Sequence, residues 1–172
     1  MVEYFVEEEL KSALKQRKKV ITAYYIVLGI FLLSWIGMYF FWFRTLPYMS
    51  PQILTVKIIL YVLTALMVIF SFIYLGIVYK RVNKFCRLAH NLLTGIRETS
   101  ILEFVGYSDM IQGKDGVDCK ALIFLEWNKY KQEYFKRKVL VLAEKEFPKF
   151  EKKQTVKVVT QGNVLVKYEI LN

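Results

Sequence analysis

Histidine and cysteine are scarce in this chain, which has one histidine and two cysteines among its 172 residues. Cys86 and Cys119 lie far apart and follow no Cys-x-x-Cys or Cys/His spacing, so the sequence indicates neither a structural zinc site nor a disulfide framework. Glycine-rich phosphate loops, nucleophile elbows and Ser/His/Asp sets are also missing. We therefore expect no catalytic residue, no metal site, no cofactor and no enzymatic activity.

Charge is missing from two long segments, residues 20–43 and residues 58–79. At ~1.5 Å per residue, a helix over either segment is about 33–36 Å long, enough to cross a hydrocarbon core of about 30 Å. The loop between them contains Pro47 and Pro51, which interrupt a helix. We predict a transmembrane hairpin over residues 20–79. Because neither span has an ionisable residue in its interior, the sequence argues against transport by this chain alone.

The formal net charge of +10 is concentrated at the edges of the predicted spans. Five basic residues precede the first span and four follow the second, against two in the connecting loop. This asymmetry predicts both termini in the cytoplasm and membrane lipids as partners. It also argues against nucleic acid as a partner. We expect a multi-pass protein of a bacterial plasma membrane. The basic and aromatic side chains that we expect to anchor the hairpin at the interfaces are Lys18, Lys19, Tyr24, Trp42, Arg44, Lys80, Arg81, Lys84 and Arg87.

Amphipathic patterns flank the hairpin on both sides. Residues 1–19 carry glutamates in their first half and basic residues in their second, a polarity that suits a helix dipole and predicts an amphipathic N-terminal helix. Residues 80–98 space their apolar side chains at the helical period, which predicts a juxtamembrane amphipathic helix. Within the spans, small residues allow close approach of helix backbones; the candidates for helix packing are Gly29, Gly37, Ala65 and Gly76.

Residues 99–172 change to a period of two, which predicts a small antiparallel all-β domain. Residues 139–142 are apolar on both faces, as expected of a strand that is covered on both sides. We prefer a small barrel of the SH3-like or OB-like kind to an open sheet, because closure removes exposed edges. The predicted strands are residues 101–107, 118–127, 134–142, 155–160 and 164–170. The strand glutamates, which we expect on the outward face, are Glu103, Glu126, Glu133 and Glu169.

Aromatic and basic residues alternate between residues 127 and 138. This composition suits an anionic headgroup or a protein partner, and more weakly a single-stranded nucleic acid; an ordinary solvated strand gives the same pattern. The candidate headgroup or partner surface consists of Trp127, Lys129, Tyr130, Lys131, Lys136 and Lys138.

Two functions are compatible with these features. The first is a non-enzymatic integral membrane interaction or accessory protein, which presents a cytoplasmic β domain to a larger membrane protein or to a second copy in a homo-oligomer. The alternative is a membrane-tethered sensor or effector whose β domain binds a small molecule or lipid headgroup and changes oligomeric state. A filled barrel with exposed apolar side chains favours the first, and a pocket with converging polar groups favours the second.

Overall fold

The computed structural model of the protein describes residues 1–47, 49–128 and 130–171. The chain folds into two compact units. One consists of Met1–Leu14 together with Lys84–Asn172, and the other of Lys15–Asn83. Since the boundaries fall inside helices, each unit contains parts of the elements that follow.

Two long apolar helical stretches, Glu7–Thr45 and Gln52–Thr94, are present among the described residues and confirm the predicted pair of helices. Both have the length and composition needed to cross a membrane. Helix α1 begins at Glu7 rather than at residue 1, with three glutamates in its first turn, where the helix dipole favours them. The segments are α1 (Glu7–Gly37), a π-helical turn (Met38–Trp42), a 3-10 turn (Phe43–Thr45), α2 (Gln52–Ile73), a second π-helical turn (Tyr74–Tyr79) and α3 (Lys80–Thr94).

Few side chains of the hairpin are covered by the unit itself. In α2 the buried residues are Val56, Leu60 and Met67. Large apolar side chains such as Phe41 and Phe72 are almost fully exposed. The hairpin therefore leaves most of its apolar surface for another apolar environment to cover.

The β unit is a closed five-stranded barrel with one extra strand, which confirms the predicted barrel and excludes the open sheet. Its strands are β1 (Val2–Glu3), β2 (Glu98–Lys114), β3 (Val117–Asn128), β4 (Glu133–Leu142), β5 (Thr155–Gln161) and β6 (Val164–Leu171). The barrel runs β2-β3-β4-β6-β5 and closes through the β2–β5 pair, a Greek-key order. All pairs are antiparallel except β4–β6, which meet in parallel at Leu140↔Val164. The extra strand β1 pairs with β6.

Strand β2 is longer than the sequence predicted, because it continues to Lys114 before the turn at Asp115 and Gly116. Its ladder with β3 is irregular between Phe104 and Gly106, and again between Ser108 and Gln112. Such bulges bend a strand and increase its twist. This curvature lets one strand pair with both β3 and β5 and so close the barrel.

Two apolar layers meet at strand β4. Val139 and Val141 point into the barrel, where they pack in a core that includes Phe104 and Phe124. The alternate residues, Leu140 and Leu142, belong to an outer layer. That layer also contains Phe5, Leu88, Ala89, Leu92, Cys119, Val164 and Val166. The prediction that residues 139–142 are covered on both faces is thus confirmed, and the cover is supplied by α3 and the N-terminal residues.

The first residues of the chain are part of the barrel unit rather than the start of a helix. Val2 and Glu3 pair with β6, and the amide groups of Tyr4 and Phe5 donate to the Val166 carbonyl. This arrangement departs from the helix predicted over residues 1–19 in its first six residues, whereas residues 7–19 are helical as predicted. The physical reason is that β6 has an open edge here, which backbone groups of the N-terminus can satisfy.

Candidate functional site

Strands β3 and β4 extend beyond the barrel as a two-stranded arm. They remain paired as far as Asn128↔Glu133, whereas β2 pairs with β3 only up to Leu125. Among the described residues, β4 pairs with β6 only at Leu140. Residues 126–128 and 130–136, which we call the arm, therefore pair with no other strand in the part of the chain that the structure describes.

The tip of the arm is a defined turn. The Asn128 side-chain oxygen accepts hydrogen bonds from the amide groups of Tyr130 at 2.9 Å and Lys131 at 3.2 Å. The Asn128 carbonyl accepts from the Gln132 amide at 2.8 Å, and Gln132 has a left-handed φ of 52°. An asparagine that bonds backbone groups two and three residues ahead fixes the turn locally. Tyr130, placed at this tip, is completely exposed.

Exposed aromatic rings cover the arm. Trp127 and Tyr134 are cross-strand partners whose ring centroids lie 4.8 Å apart in an edge arrangement, and they are 46% and 65% exposed. Phe135, on the opposite face, is also exposed. Aromatic residues with this much free surface are enriched at recognition surfaces, since one ring contributes a large contact area at little entropic cost.

Basic side chains surround these rings. Lys131, Lys136 and Lys138 are exposed. The ion pair between Lys131 and Glu133, at 4.0 Å and largely exposed, contributes only ~0–1 kcal/mol. Lys129, the remaining member of the predicted surface, lies outside the described residues. The described members therefore stand on one hairpin as accessible side chains.

Arg137 lies at the base of the arm and points into the barrel. It shares a strand face with the core residue Val139, and only 12% of its side chain is exposed. Nη1 donates to both carboxylate oxygens of Glu126 at 3.2 Å and to Ser100 Oγ at 3.3 Å. Nη2 donates to Glu98 Oε2 at 3.2 Å. A guanidinium held by two carboxylates is a strong, directional anchor.

The same guanidinium reaches the other side of the barrel. Nη2 lies 3.4 Å from the buried Thr160 Oγ1 on β5 and 3.3 Å from Asn163 Oδ1 in the β5–β6 turn. Arg137 thus connects β2, β3 and β5 with its own strand at one end of the barrel. Both terminal nitrogens of Arg137 are engaged by protein oxygens, so Arg137 closes this end of the barrel. The accessible positive charge is therefore that of the arm's lysines.

The expected outward position of Glu126 is wrong, because Glu126 bonds Arg137 on the barrel's inner face. Strand alternation contained only part of the signal. Glu126 has the same parity as the core residue Phe124, and the hairpin register places Phe124 opposite Arg137. The sequence alone did not reveal that the apolar inner face of the barrel ends in an ion pair between Glu126 and Arg137.

The expected interface anchors have different surroundings. Eight of the nine have exposed side chains, but Tyr24 is partly buried against the second helix of its own unit. Its hydroxyl donates to Ser71 Oγ at 3.0 Å, and its ring stacks on Phe70 and Tyr74. The Tyr74 hydroxyl donates to the Val20 carbonyl at 2.9 Å. Tyr24 therefore holds the two helices together.

The predicted packing residues are not at close contacts within this chain. A Cβ added to Gly29, Gly37 or Gly76 meets no atom within 4 Å beyond its own helical turns, counting the described residues. Ala65 is exposed. Close packing at these positions between copies stays a prediction.

Both cysteines are buried in the β unit. The Cys86 thiol donates to the Ala13 carbonyl at 3.2 Å. Burial, and next the Asp118 carboxylate, raise the pKa of the Cys119 thiol. In the described part of the chain, no group of three or more His, Cys, Asp or Glu side chains has the geometry to hold a metal ion.

In comparisons with known proteins, no family model, curated protein or solved structure matches the chain significantly.

Proposed function

We propose that this chain is a non-enzymatic integral membrane protein that uses its arm to bind a protein partner, either a larger membrane protein or a second copy. The exposed aromatic arm is the observation that carries the proposal. The filled barrel core supports it over a ligand sensor, because Phe104, Phe124, Leu122 and Val139 occupy the interior and are essentially unexposed.

The hairpin supports the membrane part of the proposal. Its helices have suitable length and composition, and their apolar side chains face outward without cover. The excess of basic residues at the ends joined to the β unit supports a cytoplasmic location for that unit and both termini, and we propose a bacterial plasma membrane as the site. The bilayer then covers the surface that the hairpin itself leaves open.

The barrel belongs, in this proposal, to the OB-like rather than the SH3-like kind. A five-stranded Greek-key barrel is the topology of the OB fold. The strand order β2-β3-β4-β6-β5 with a closing β2–β5 pair corresponds to it. The fold carries no function by itself, so the proposal depends on the arm.

Removal of the arm's rings is expected to abolish the complex. In Trp127→Ala/Tyr134→Ala, the yield of the cross-linked partner or second copy from intact cells should fall about tenfold or more, because central aromatic anchors contribute ~2 kcal/mol or more each. The measurement is cross-linking in cells, extraction in mild detergent and mass spectrometry. Ile101→Ala, which removes an exposed side chain of β2 outside the arm, serves as the matched control. Equal yields from all three proteins would refute the arm as the binding surface.

Topology has a separate test. In Ser50→Cys, an impermeant maleimide added to intact cells should label the chain, since residue 50 lies in the loop between the helices. The wild-type protein should give little background, because Cys86 and Cys119 are buried and the raised pKa of Cys119 lowers its thiolate fraction. Labelling of Ser50→Cys only after permeabilisation would reverse the proposed orientation.

A further inference from the structure

A pocket of about 350 Å³ lies between the end of the first helical stretch and the beginning of the second. It is entirely within the helical unit, and its walls are mostly apolar. One wall comes from the turns around Tyr39 and the other from the first half of α2. The residues that line it are Trp35, Tyr39, Phe43, Lys57, Leu60, Tyr61 and Thr64.

The first wall is a column of aromatic rings. Trp35 and Tyr39 stack with centroids 5.7 Å apart and planes 5° apart, and Tyr39 and Phe43 stack at 5.7 Å and 20°. In an α-helix, residues four apart drift by about 40° around the axis. The wider π-helical turn at Met38–Trp42 rotates less per residue and offsets that drift. The π-turn therefore aligns the rings on one side, and such turns are frequent at functional sites.

The second wall places a cation at the pocket. Lys57, Leu60, Tyr61 and Thr64 follow the i, i+3, i+4, i+7 spacing of one helix face. Lys57 Nζ lies 5.9 Å from the centre of the Phe43 ring. Among the described lining residues, Lys57 alone carries a charge.

Lys57 has no acidic residue of its own unit to pair with. The sequence contains no Asp or Glu between residues 10 and 97, a range that includes the whole helical unit. A carboxylate from the hairpin therefore cannot neutralise Lys57. The complementary ligand is an anion with an apolar body. Its negative group matches Lys57, and its apolar part matches the stacked aromatic rings.

We propose that this pocket binds an anionic phospholipid, with the headgroup phosphate at Lys57 and the apolar part of the lipid against Trp35 and Leu60. The inference depends on the proposed membrane insertion, which places such lipids beside the pocket. Aromatic rings at the depth of the headgroups and a lysine above them form a suitable contact for one lipid molecule. The site thereby makes the hairpin bind anionic phospholipids in preference to zwitterionic ones.

The test uses the full chain with Trp35 as its single tryptophan, in the variant Trp42→Phe/Trp127→Phe. This protein is reconstituted in phosphatidylcholine vesicles that contain either brominated phosphatidylglycerol or brominated phosphatidylcholine at the same mole fraction. Quenching of Trp35 by the anionic lipid should exceed quenching by the zwitterionic lipid about fivefold, the ratio expected when one basic residue faces a headgroup of net negative charge. Lys57→Gln should reduce that ratio to about one, whereas Arg44→Gln, which removes an expected interface anchor outside the pocket, should leave it well above one.

Arg44 is the matched control, because it is an exposed cation in the same part of the helical unit that does not line the pocket. Equal losses in Arg44→Gln and Lys57→Gln would show general electrostatic attraction and overturn the site. Equal quenching by both lipids would overturn the site while leaving membrane insertion intact. Absence of quenching by either lipid would refute insertion itself. Formation of a disulfide-linked dimer by Thr64→Cys in the same vesicles would make a second copy the occupant and reject the lipid.

Discussion

Phe104→Ala is expected to lower the free energy of unfolding of the β unit by about 3–5 kcal/mol, the usual loss for a buried phenylalanine. Phe104 is 1% exposed, and its ring lies 4.8 Å from the Tyr107 ring, 5.5 Å from Phe124 and 5.3 Å from Phe150. Truncation leaves a cavity among aromatic side chains that the closed barrel cannot collapse to fill. The loss is a large share of the 5–15 kcal/mol typical of a whole domain.

Thiol labelling of Cys119 measures this loss. The purified full chain in mild detergent is incubated in increasing urea and given a short maleimide pulse, and the labelled Cys119 peptide is quantified by mass spectrometry. Cys119 is fully buried in the folded unit, so labelling reports unfolding. Ile101→Ala, on the same strand but exposed, should shift the midpoint little. A midpoint for Phe104→Ala equal to that of Ile101→Ala would contradict the aromatic core.

Arg137→Met should destabilise the β unit by about 1.5–3 kcal/mol, the usual contribution of hydrogen bonds to charged groups. Glu126 and Glu98 lose their cation together, and the buried Thr160 loses a donor. The methionine retains much of the apolar volume, so the loss reports the polar contacts. The same Cys119 labelling assay applies.

Two comparisons separate the Arg137 cluster from general charge effects. Lys138→Met changes the next residue on the opposite strand face, where the side chain is exposed, and should cost less than about 0.5 kcal/mol. The double variant Arg137→Met/Glu126→Leu should lose less free energy of unfolding than the two single variants lose together, since it removes the carboxylate along with its partner. Strict additivity in this cycle would exclude coupling between the two residues.

Local patterns in the sequence predicted much of the architecture. The two charge-free segments became the long helices, and the period of two gave strand boundaries within a few residues for β3, β4, β5 and β6. The turn between β5 and β6 was also predictable, because glycine and asparagine tolerate the positive φ that a tight hairpin needs. In the structure both Gly162 and Asn163 adopt it. The arm's residues were recognised as a surface from their alternating composition.

By itself, the sequence determined the two long helices and most of the strands, and it marked the aromatic and basic residues of the arm, because each depends on neighbours a few positions away. Only the tertiary structure decided the rest. The parallel meeting of β4 with β6, the addition of residues 2 and 3 to the barrel and the stacking of α3 on its outer face join residues far apart in the chain. Arg137 illustrates the same limit, because its partners come from three other strands and a distant turn. Local periodicity does not specify such pairings. They are selected by the free energy gained over the whole fold when apolar faces are buried and the backbone groups at strand edges form hydrogen bonds.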